Sequence, residues 1–471
     1  MKQNLKVKTF VGTSENAIGT QIWTALLADD SINPPFILRG KEKCLSPLSP
    51  SFQLLPMKAK ALLYFSLFSL PLLCQRVLAQ SLSPASFSVG FRNMGISNVG
   101  SKGSKTLWAK VYYPATKAGA SAPILPKAGG WPVVVFLHGY SGLGSNYPDL
   151  ANRLAAMGFV MVMSDTARFS PDLQLDDGKA LFPSLVGENK RKASPLFGAL
   201  DLQRAAVMGH SMGGGNSLRV LAENPGYRCG VALAPWDGKG FITNFNYPPK
   251  YGPKIRQPFL ILHGEGDSRL DWKQTAFRWF QSATKVRGLS AFWLLDKNCD
   301  HKNVARLLSS STKTDKEVFS KILGFAGAWL KRFLGDKAPE LEAVLGPKLA
   351  SGKYLRQLRL RVGAPEFWIS GTGRLGAPLG FRLLGEPGMG VLFFAAKTGK
   401  LQTPWGTLLL DPRTMHPLAA KFLGASRIFA LDQTIPKDPS LVGLGIPFQG
   451  LSLSSILGLQ WSGLQRLQIK K

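Results

Sequence analysis

Gly209-His210-Ser211-Met212-Gly213 follows the apolar run Ala205-Ala206-Val207-Met208 and precedes a helical pattern carrying Leu218, Val220 and Leu221. A G-x-S-x-G pentapeptide between a buried strand and a helix places its serine on a very sharp turn, with the hydroxyl exposed at the end of the strand. The turn is so tight that the positions two before and two after the serine must be almost free of side chain. Gly209 and Gly213 meet that demand, and Gly214 and Gly215 extend the slack. In a chain with 50 glycines the bare pattern arises by chance. The strand before it and the helix after it make Ser211 a candidate nucleophile rather than a solvated loop serine.

Outward from this turn, strands and helices alternate. The runs Phe87–Phe91 and Leu107–Tyr113 read as an antiparallel lead-in pair. Val133–Leu137 and Phe159–Met163 are continuous apolar strands of the kind buried on both faces. Between them, Pro148 suits the first turn of a helix bearing Leu150, Leu154 and Met157, ended by Gly158. Further strands are expected at Gly230–Ala234, Phe259–Leu262 and Ala291–Leu295. A closing helix aligns Val318, Ile322, Phe325, Trp329 and Phe333 on one face. The alternation implies a mainly parallel, doubly wound α/β sheet, which the serine turn narrows to the α/β-hydrolase fold over residues 84–336.

That fold orders its catalytic groups as serine, acid, histidine along the chain. Of the five histidines, His138 and His210 precede or adjoin Ser211, and His416 lies far downstream. No acid-bearing strand loop fits well between the serine and His263, which reads as structural. His301, after the Ala291–Leu295 strand, is therefore the candidate general base. The loop after Phe259–Leu262 reads His263-Gly264-Glu265-Gly266-Asp267. Asp267 is the preferred acid, needed to hold the imidazole tautomer, with Asp237, Glu265 and Asp271 as rivals. The oxyanion hole calls for two backbone N–H groups. Met212, just after the nucleophile, supplies one, and Tyr140 in His138-Gly139-Tyr140-Ser141-Gly142 supplies the other.

Residues 131–303 resemble the cutinase-like polyester hydrolases among the dienelactone-hydrolase relatives. The likeness is carried by Val133–Gly142, Gly158-Phe159-Val160, Val207–Gly215, Ala234-Pro235-Trp236, the Asp267 loop and Cys299-Asp300-His301. It implies Ser211, Asp267 and His301 as a triad, and Tyr140, Trp236 and His210 as substrate contacts. Thr166–Ala199 departs from the pattern, and Asp300-His301-Lys302 replaces the usual Ser-His-Phe. Chlorophyllase-like and lipid-acetyl esterases are among the relatives, so the ester stays open.

Beyond Gly335 the pattern changes. A linker over residues 337–354 leads to strand-length runs at Phe367–Ile369, Val391–Ala395, Gly406–Leu410 and Leu441–Ile446, the mark of an antiparallel β-sandwich over 355–471. The ending resembles a β-domain appended to many secreted bacterial proteins, which implies attachment to a cell surface or polymer; a packing appendage is the plainer account. At the other end, Met57, Lys58 and Lys60 precede an apolar run from Ala61 to Cys74 and a small-residue site at Val77-Leu78-Ala79. These are the parts of an export signal starting at Met57, with residues 1–56 read as a mis-called extension. The protein is thus expected to be secreted or associated with the cell envelope, with no transmembrane segment.

Lys and Arg outnumber Asp and Glu by 58 to 28, a formal charge of +30. The basic residues are scattered, and no nucleic-acid-binding signature accompanies them. Cys229 and Cys299 fall at opposite ends of the sheet, roughly 17 Å apart, too far for a disulfide. The reading is a secreted serine carboxylic ester hydrolase without cofactor or metal, acting on a polyester. A small-lipid or lactone esterase, and a silent surface-binding module, are its rivals.

Overall fold

The computed structural model describes residues 87–97, 106–240, 243–305, 312–346, 352–424 and 427–471. The expected extension and export signal, with Cys44 and Cys74, lie outside them. One unit of the chain runs from Ala79 to Gly363, and the described part of the other begins at Ala364.

In the first unit, β1 (Val89–Ser97) and β2 (Thr106–Pro114) form an antiparallel pair, with the short β3 (Gly119–Ala120) on the outer edge. Next come β4 (Trp131–Leu137), α1 (Pro148–Ala156), β5 (Val160–Ser164) and α2 (Pro171–Lys190). β6 (Leu200–His210) leads into α3 (Met212–Glu223), followed by β7 (Cys229–Leu233) and the short α4 (Tyr247–Tyr251). β8 (Phe259–Gly264), α5 (Ala276–Ser282), β9 (Leu289–Leu295) and α6 (Lys313–Gly335) complete the alternation. The strands form one sheet in the order β3-β1-β2-β5-β4-β6-β7-β8-β9 plus one further edge strand. From β5 to β9 all neighbours are parallel. Helices cover both faces, which is why β4, β5, β7, β8 and β9 are buried along their whole length and read as unbroken apolar runs. Cys229 and Cys299 are buried free thiols.

The described part of the segment expected as a linker carries secondary structure. A 3-10 turn at Ala338–Leu341 leads into α7 (Glu342–Leu345), and the Val344 carbonyl accepts a hydrogen bond from Trp293 Nε1 of β9 at 2.9 Å. β10 (Leu355–Val362) then pairs antiparallel with β9 as the tenth strand. The sequence reading placed residues from 355 in the C-terminal domain; the divide falls instead after Gly363. Alternation of Leu358, Leu360 and Val362 with arginines marks a strand, but a period of two carries no information on which sheet receives it. β10 covers the backbone edge that β9 would otherwise leave open.

The C-terminal unit is all β. β11 (Glu366–Gly371), β12 (Pro378–Leu384), β13 (Gly388–Ala395), β14 (Thr398–Thr403) and β15 (Gly406–Leu410) are followed by β16 (Met415–Leu423), β17 (Ile428–Thr434), β18 (Gly445–Ser454) and β19 (Gly458–Gln468). They form a β11-β12-β17 sheet, a β16-β13-β18-β19 sheet and a β14-β15 hairpin. β13 shows why both of its faces are apolar. Leu392 and Phe394 join Phe367, Phe381 and Phe448 in one core. Val391, Phe393 and Ala395 join Leu408, Leu410 and Trp461 in a second. The strand expected at Leu441–Ile446 begins only at Gly445, because Pro439–Leu441 forms a 3-10 turn.

A chain ending at Gly363 is expected to keep β9 protected, whereas one ending at Gly335 loses α7 and β10. The shorter chain should melt at a lower temperature and scatter light on standing. Equal melting temperatures for the two would show that β10 adds nothing to the first unit.

Candidate active site

β6 ends at His210 and α3 begins at Met212, so Ser211 alone makes the turn, at φ 57 and ψ −118. A non-glycine residue in such a conformation carries about 1–3 kcal/mol of strain and persists only when its surroundings over-determine it. Here the Ser211 N–H donates to the Leu233 carbonyl at 2.9 Å, and the Ser211 carbonyl accepts from the N–H groups of Gly215 and Trp236 at 3.0 Å each. The glycines are equally constrained. A Cβ on Gly209 would lie 2.1 Å from the Gly213 carbonyl oxygen, and one on Gly213 2.1 Å from that of Leu137. Gly214 and Gly215, read from the sequence as slack, meet the Leu233 and Trp236 carbonyl oxygens at 2.8 and 2.2 Å in the same way.

His301 stands between Ser211 and Asp267. Its Nδ1 is 2.7 Å from Asp267 Oδ2, and its Nε2 is 3.0 Å from Ser211 Oγ. A carboxylate only accepts, so the Nδ1–H donates to Asp267 and the bare Nε2 faces the serine hydroxyl. The other carboxylate oxygen accepts from the N–H groups of Arg269 and Leu270 at 2.9 Å each. Burial works to raise the Asp267 pKa, but the His301 hydrogen bond and charge, with His263 nearby, outweigh it and hold the carboxyl below its usual range. The rivals are engaged elsewhere: Asp237 pairs with Arg278 at 2.8 Å, Asp271 accepts from the Lys273 N–H, and Glu265 lies 3.9 Å from Arg356. His416 packs on Phe394 in the C-terminal unit.

Met212 opens α3, where the first N–H groups have no acceptor within the helix, beside Ser211. The other candidate donor, the Tyr140 N–H, shares its peptide plane with the Gly139 carbonyl. That carbonyl accepts from the Gly142 N–H at 3.0 Å and faces His138 Nδ1 at 2.8 Å. Planarity then aims the Tyr140 N–H the opposite way. The loop is tied down further by Arg168, whose carbonyl accepts from the Ser141 N–H and whose Nη2 donates to the Ser141 carbonyl at 2.9 Å.

Two of the residues expected as substrate contacts are largely buried. His210 is only 1% exposed, with Nδ1 at 3.0 Å from Tyr147 Oη and Nε2 at 2.8 Å from the His301 carbonyl. Trp236 is 4% exposed, its Nε1–H donating to the Lys239 carbonyl and its ring set edge-on against Tyr247 at 5.6 Å. Tyr140 is exposed, and Phe169, from the segment that departs from the family pattern, packs edge-on against it at 5.6 Å with 59% of its surface open. The sequence reading did not include Phe169, Tyr147 or the approach of His263 Nε2 to Asp267 at 3.4 Å. Phe169 and Tyr147 carry no local pattern because their contacts join separate loops, whereas His263 and Asp267 stand four residues apart in one loop. Among the described residues there is no cluster of side chains suited to hold a metal, and no helix long and apolar enough to cross a membrane.

A family model described as "PETase: PET hydrolase-like" matches residues 85–348, more than half of the chain. Relatives include Cutinase 1 of Thermobifida cellulosilytica, 27% identical over 201 residues that cover 42% of this chain and 66% of that one. Cutinase est1 of Thermobifida alba is 34% identical over 201 residues, covering 42% and 59%. A bis(hydroxyethyl) terephthalate hydrolase of Streptomyces coelicolor is 27% identical over 226 residues, covering 48% and 62%. The chain spans less than two thirds of the length of each of these relatives.

Burial is the main cause that pushes the pKa of His210 down to about 3 and that of His263 to about 4, from an ordinary 6.5. Both are neutral in the folded chain, while the unfolded chain takes up protons there below pH 6.5. Their contribution to stability is complete above that pH and is lost as pH falls toward 4, by up to about 1.4 kcal/mol per pH unit for each group. Urea unfolding between pH 7.5 and 4.5 should show this decline, and His263→Gln should make it shallower. An unchanged slope in that variant would exclude a neutral buried imidazole at 263.

Proposed function

The chain belongs to the PET hydrolase-like family of cutinase-like α/β-hydrolases, and from that membership we propose that it is a serine carboxylic ester hydrolase working through an acyl-enzyme. The observation that carries the reading is the unbroken relay from Asp267 through His301 to Ser211, with contacts of 2.7 and 3.0 Å.

Ser211 Oγ attacks the ester carbonyl carbon while its proton passes to His301 Nε2. The electron pair of the C=O bond moves to oxygen, where the Met212 and Tyr140 N–H groups stabilise it, each worth about 3 kcal/mol in the transition state. The imidazolium is stabilised by Asp267 and returns its proton to the departing alcohol oxygen as the ester C–O bond breaks. Water then repeats the sequence: His301 takes its proton, its oxygen bonds to the acyl carbon, and Ser211 leaves with the proton restored. The exposed Tyr140 and Phe169 rings form an aromatic ledge next to the oxyanion loop, which favours an ester with a flat apolar or aryl acyl group. The names of the relatives, cutinases and a bis(hydroxyethyl) terephthalate hydrolase, and the PET hydrolase-like description of the family support a cutin-like or terephthalate ester.

Hydrolysis of p-nitrophenyl esters should fall by at least about a thousandfold in Ser211→Ala; activity that survives would remove the mechanism. Release of soluble products from polyester film, by the intact chain and by one ending at Gly363, separates a polymer substrate from a small ester. It also separates a polymer-contacting role for the C-terminal unit from a packing one. A loss on film but not on soluble ester would favour contact.

Export is proposed from the segment Met57–Ala79 alone. Mass spectrometry of protein recovered outside the cell should find an N-terminus near Gln80, and an intact Met1 there would overturn it.

A further inference from the structure

We propose that Tyr147 and His210 form a buried strut that sets the distance between the oxyanion loop and the His301 loop, and that both are positioning residues for the reaction. The inference rests on the ester-hydrolase reading and adds to it two side chains that touch neither substrate nor reacting atoms.

Three hydrogen bonds run in series. The Gly139 N–H meets Tyr147 Oη at 3.1 Å, Tyr147 Oη meets His210 Nδ1 at 3.0 Å, and His210 Nε2 meets the His301 carbonyl at 2.8 Å. The proton positions follow from the ends. A carbonyl only accepts, so His210 Nε2 carries its hydrogen and, in the neutral ring, Nδ1 is bare. Tyr147 must then donate its hydroxyl hydrogen to Nδ1, which leaves Oη to accept from Gly139. One arrangement satisfies every atom. Burial keeps the imidazole neutral, with its pKa down to about 3, and raises that of the tyrosine hydroxyl. The strut therefore holds one protonation state across neutral pH.

Its two ends are parts of the proposed machinery. One is the backbone of His301 itself, and the His210 ring lies 4.8 Å from the His301 ring. The other is Gly139, whose carbonyl shares a peptide with the Tyr140 N–H and where an added Cβ would lie 3.4 Å from Ser211 Cβ. Tyr147 is a firm middle support: it is fully buried, packs at 4.7 Å on Phe136 of β4, and occupies the N-cap of α1. Base and oxyanion donor come from loops of different strands, and the transition state needs both at once. A member that fixes their separation acts on the transition state more than on ground-state binding.

The test uses full-length protein with Tyr147→Phe, His210→Gln, His210→Phe and the Tyr147→Phe/His210→Phe double variant, assayed on a p-nitrophenyl ester. Active serine is counted with a fluorophosphonate, so that misfolded protein does not enter kcat. Expected are a fall in kcat of about ten- to a hundredfold in Tyr147→Phe and His210→Phe, KM within about twofold, and phenylboronic acid, which forms a tetrahedral adduct on serine, weakened in parallel with kcat. His210→Gln keeps a donor for the His301 carbonyl and should lie between wild type and His210→Phe. The double variant should be no slower than the slower single one, because one strut breaks only once. Unchanged kcat per active serine, or a rise in KM with kcat kept, would overturn the proposal; the second outcome would return His210 to the substrate. Ser211→Ala runs alongside: its retained activity would bring down the serine acyl-enzyme mechanism on which the strut rests, whereas its inactivity together with normal strut variants would bring down the strut alone.

Discussion

Ser211 holds a backbone conformation that an L-residue adopts only under compulsion, and the organisation of the site follows from the way it is compelled. Its N–H is taken by the end of β7 and its carbonyl by the first turn of α3 and by Trp236. Those bonds allow strand to become helix within one residue, which projects Oγ toward His301 and leaves the Met212 N–H at a helix start. The approach is so close that the start of α3 meets the backbones of Gly209, Leu137, Leu233 and Trp236 at positions where only glycine fits. Trp236 matters in the same way. It serves through its backbone N–H on Ser211 and through its packed ring.

Electrostatics around the relay depend on burial without charge. His210 and His263 both lie close to the Asp267–His301 pair, and both are kept neutral by desolvation. Were either protonated, it would compete for the negative charge of Asp267. With both neutral, that charge is directed to His301, where an imidazolium forms during turnover. His263 shows the cost: its Nδ1 is buried with no hydrogen-bond partner, while Nε2 is shared between the Leu270 carbonyl and Asp267. Asp267, in contrast, has both oxygens occupied, one by backbone N–H groups and one by His301.

Which segments meet is the part of the fold that the sequence does not display. β10 has the alternation of a strand, and its residues were assigned to the domain nearest along the chain; the sheet that receives it is chosen by the open edge of β9. His210 adjoins the nucleophile along the chain, and the family resemblance offers Trp236 as a substrate contact. In three dimensions, Tyr247 and Lys239 enclose Trp236, and Tyr147 and the His301 loop enclose His210. Phe169 falls in the segment that departs from the family pattern, yet it packs against Tyr140.

The chain by itself determined the serine turn, the alternation of buried strands with helices, and the order in which serine, acid and histidine must appear. These are properties of neighbouring residues and of succession, so they survive in one dimension. Order singled out His301 among five histidines and preferred Asp267 among four acids, the residues that the fold draws to Ser211. Tertiary structure alone decided which side chains are covered, which backbone edge β10 closes, and that Gly139, Tyr147, His210 and His301 are linked in series. Burial and hydrogen bonding between loops depend on which distant segments meet. That information lies in the packing of the sheet and its helices, and no local spacing encodes it.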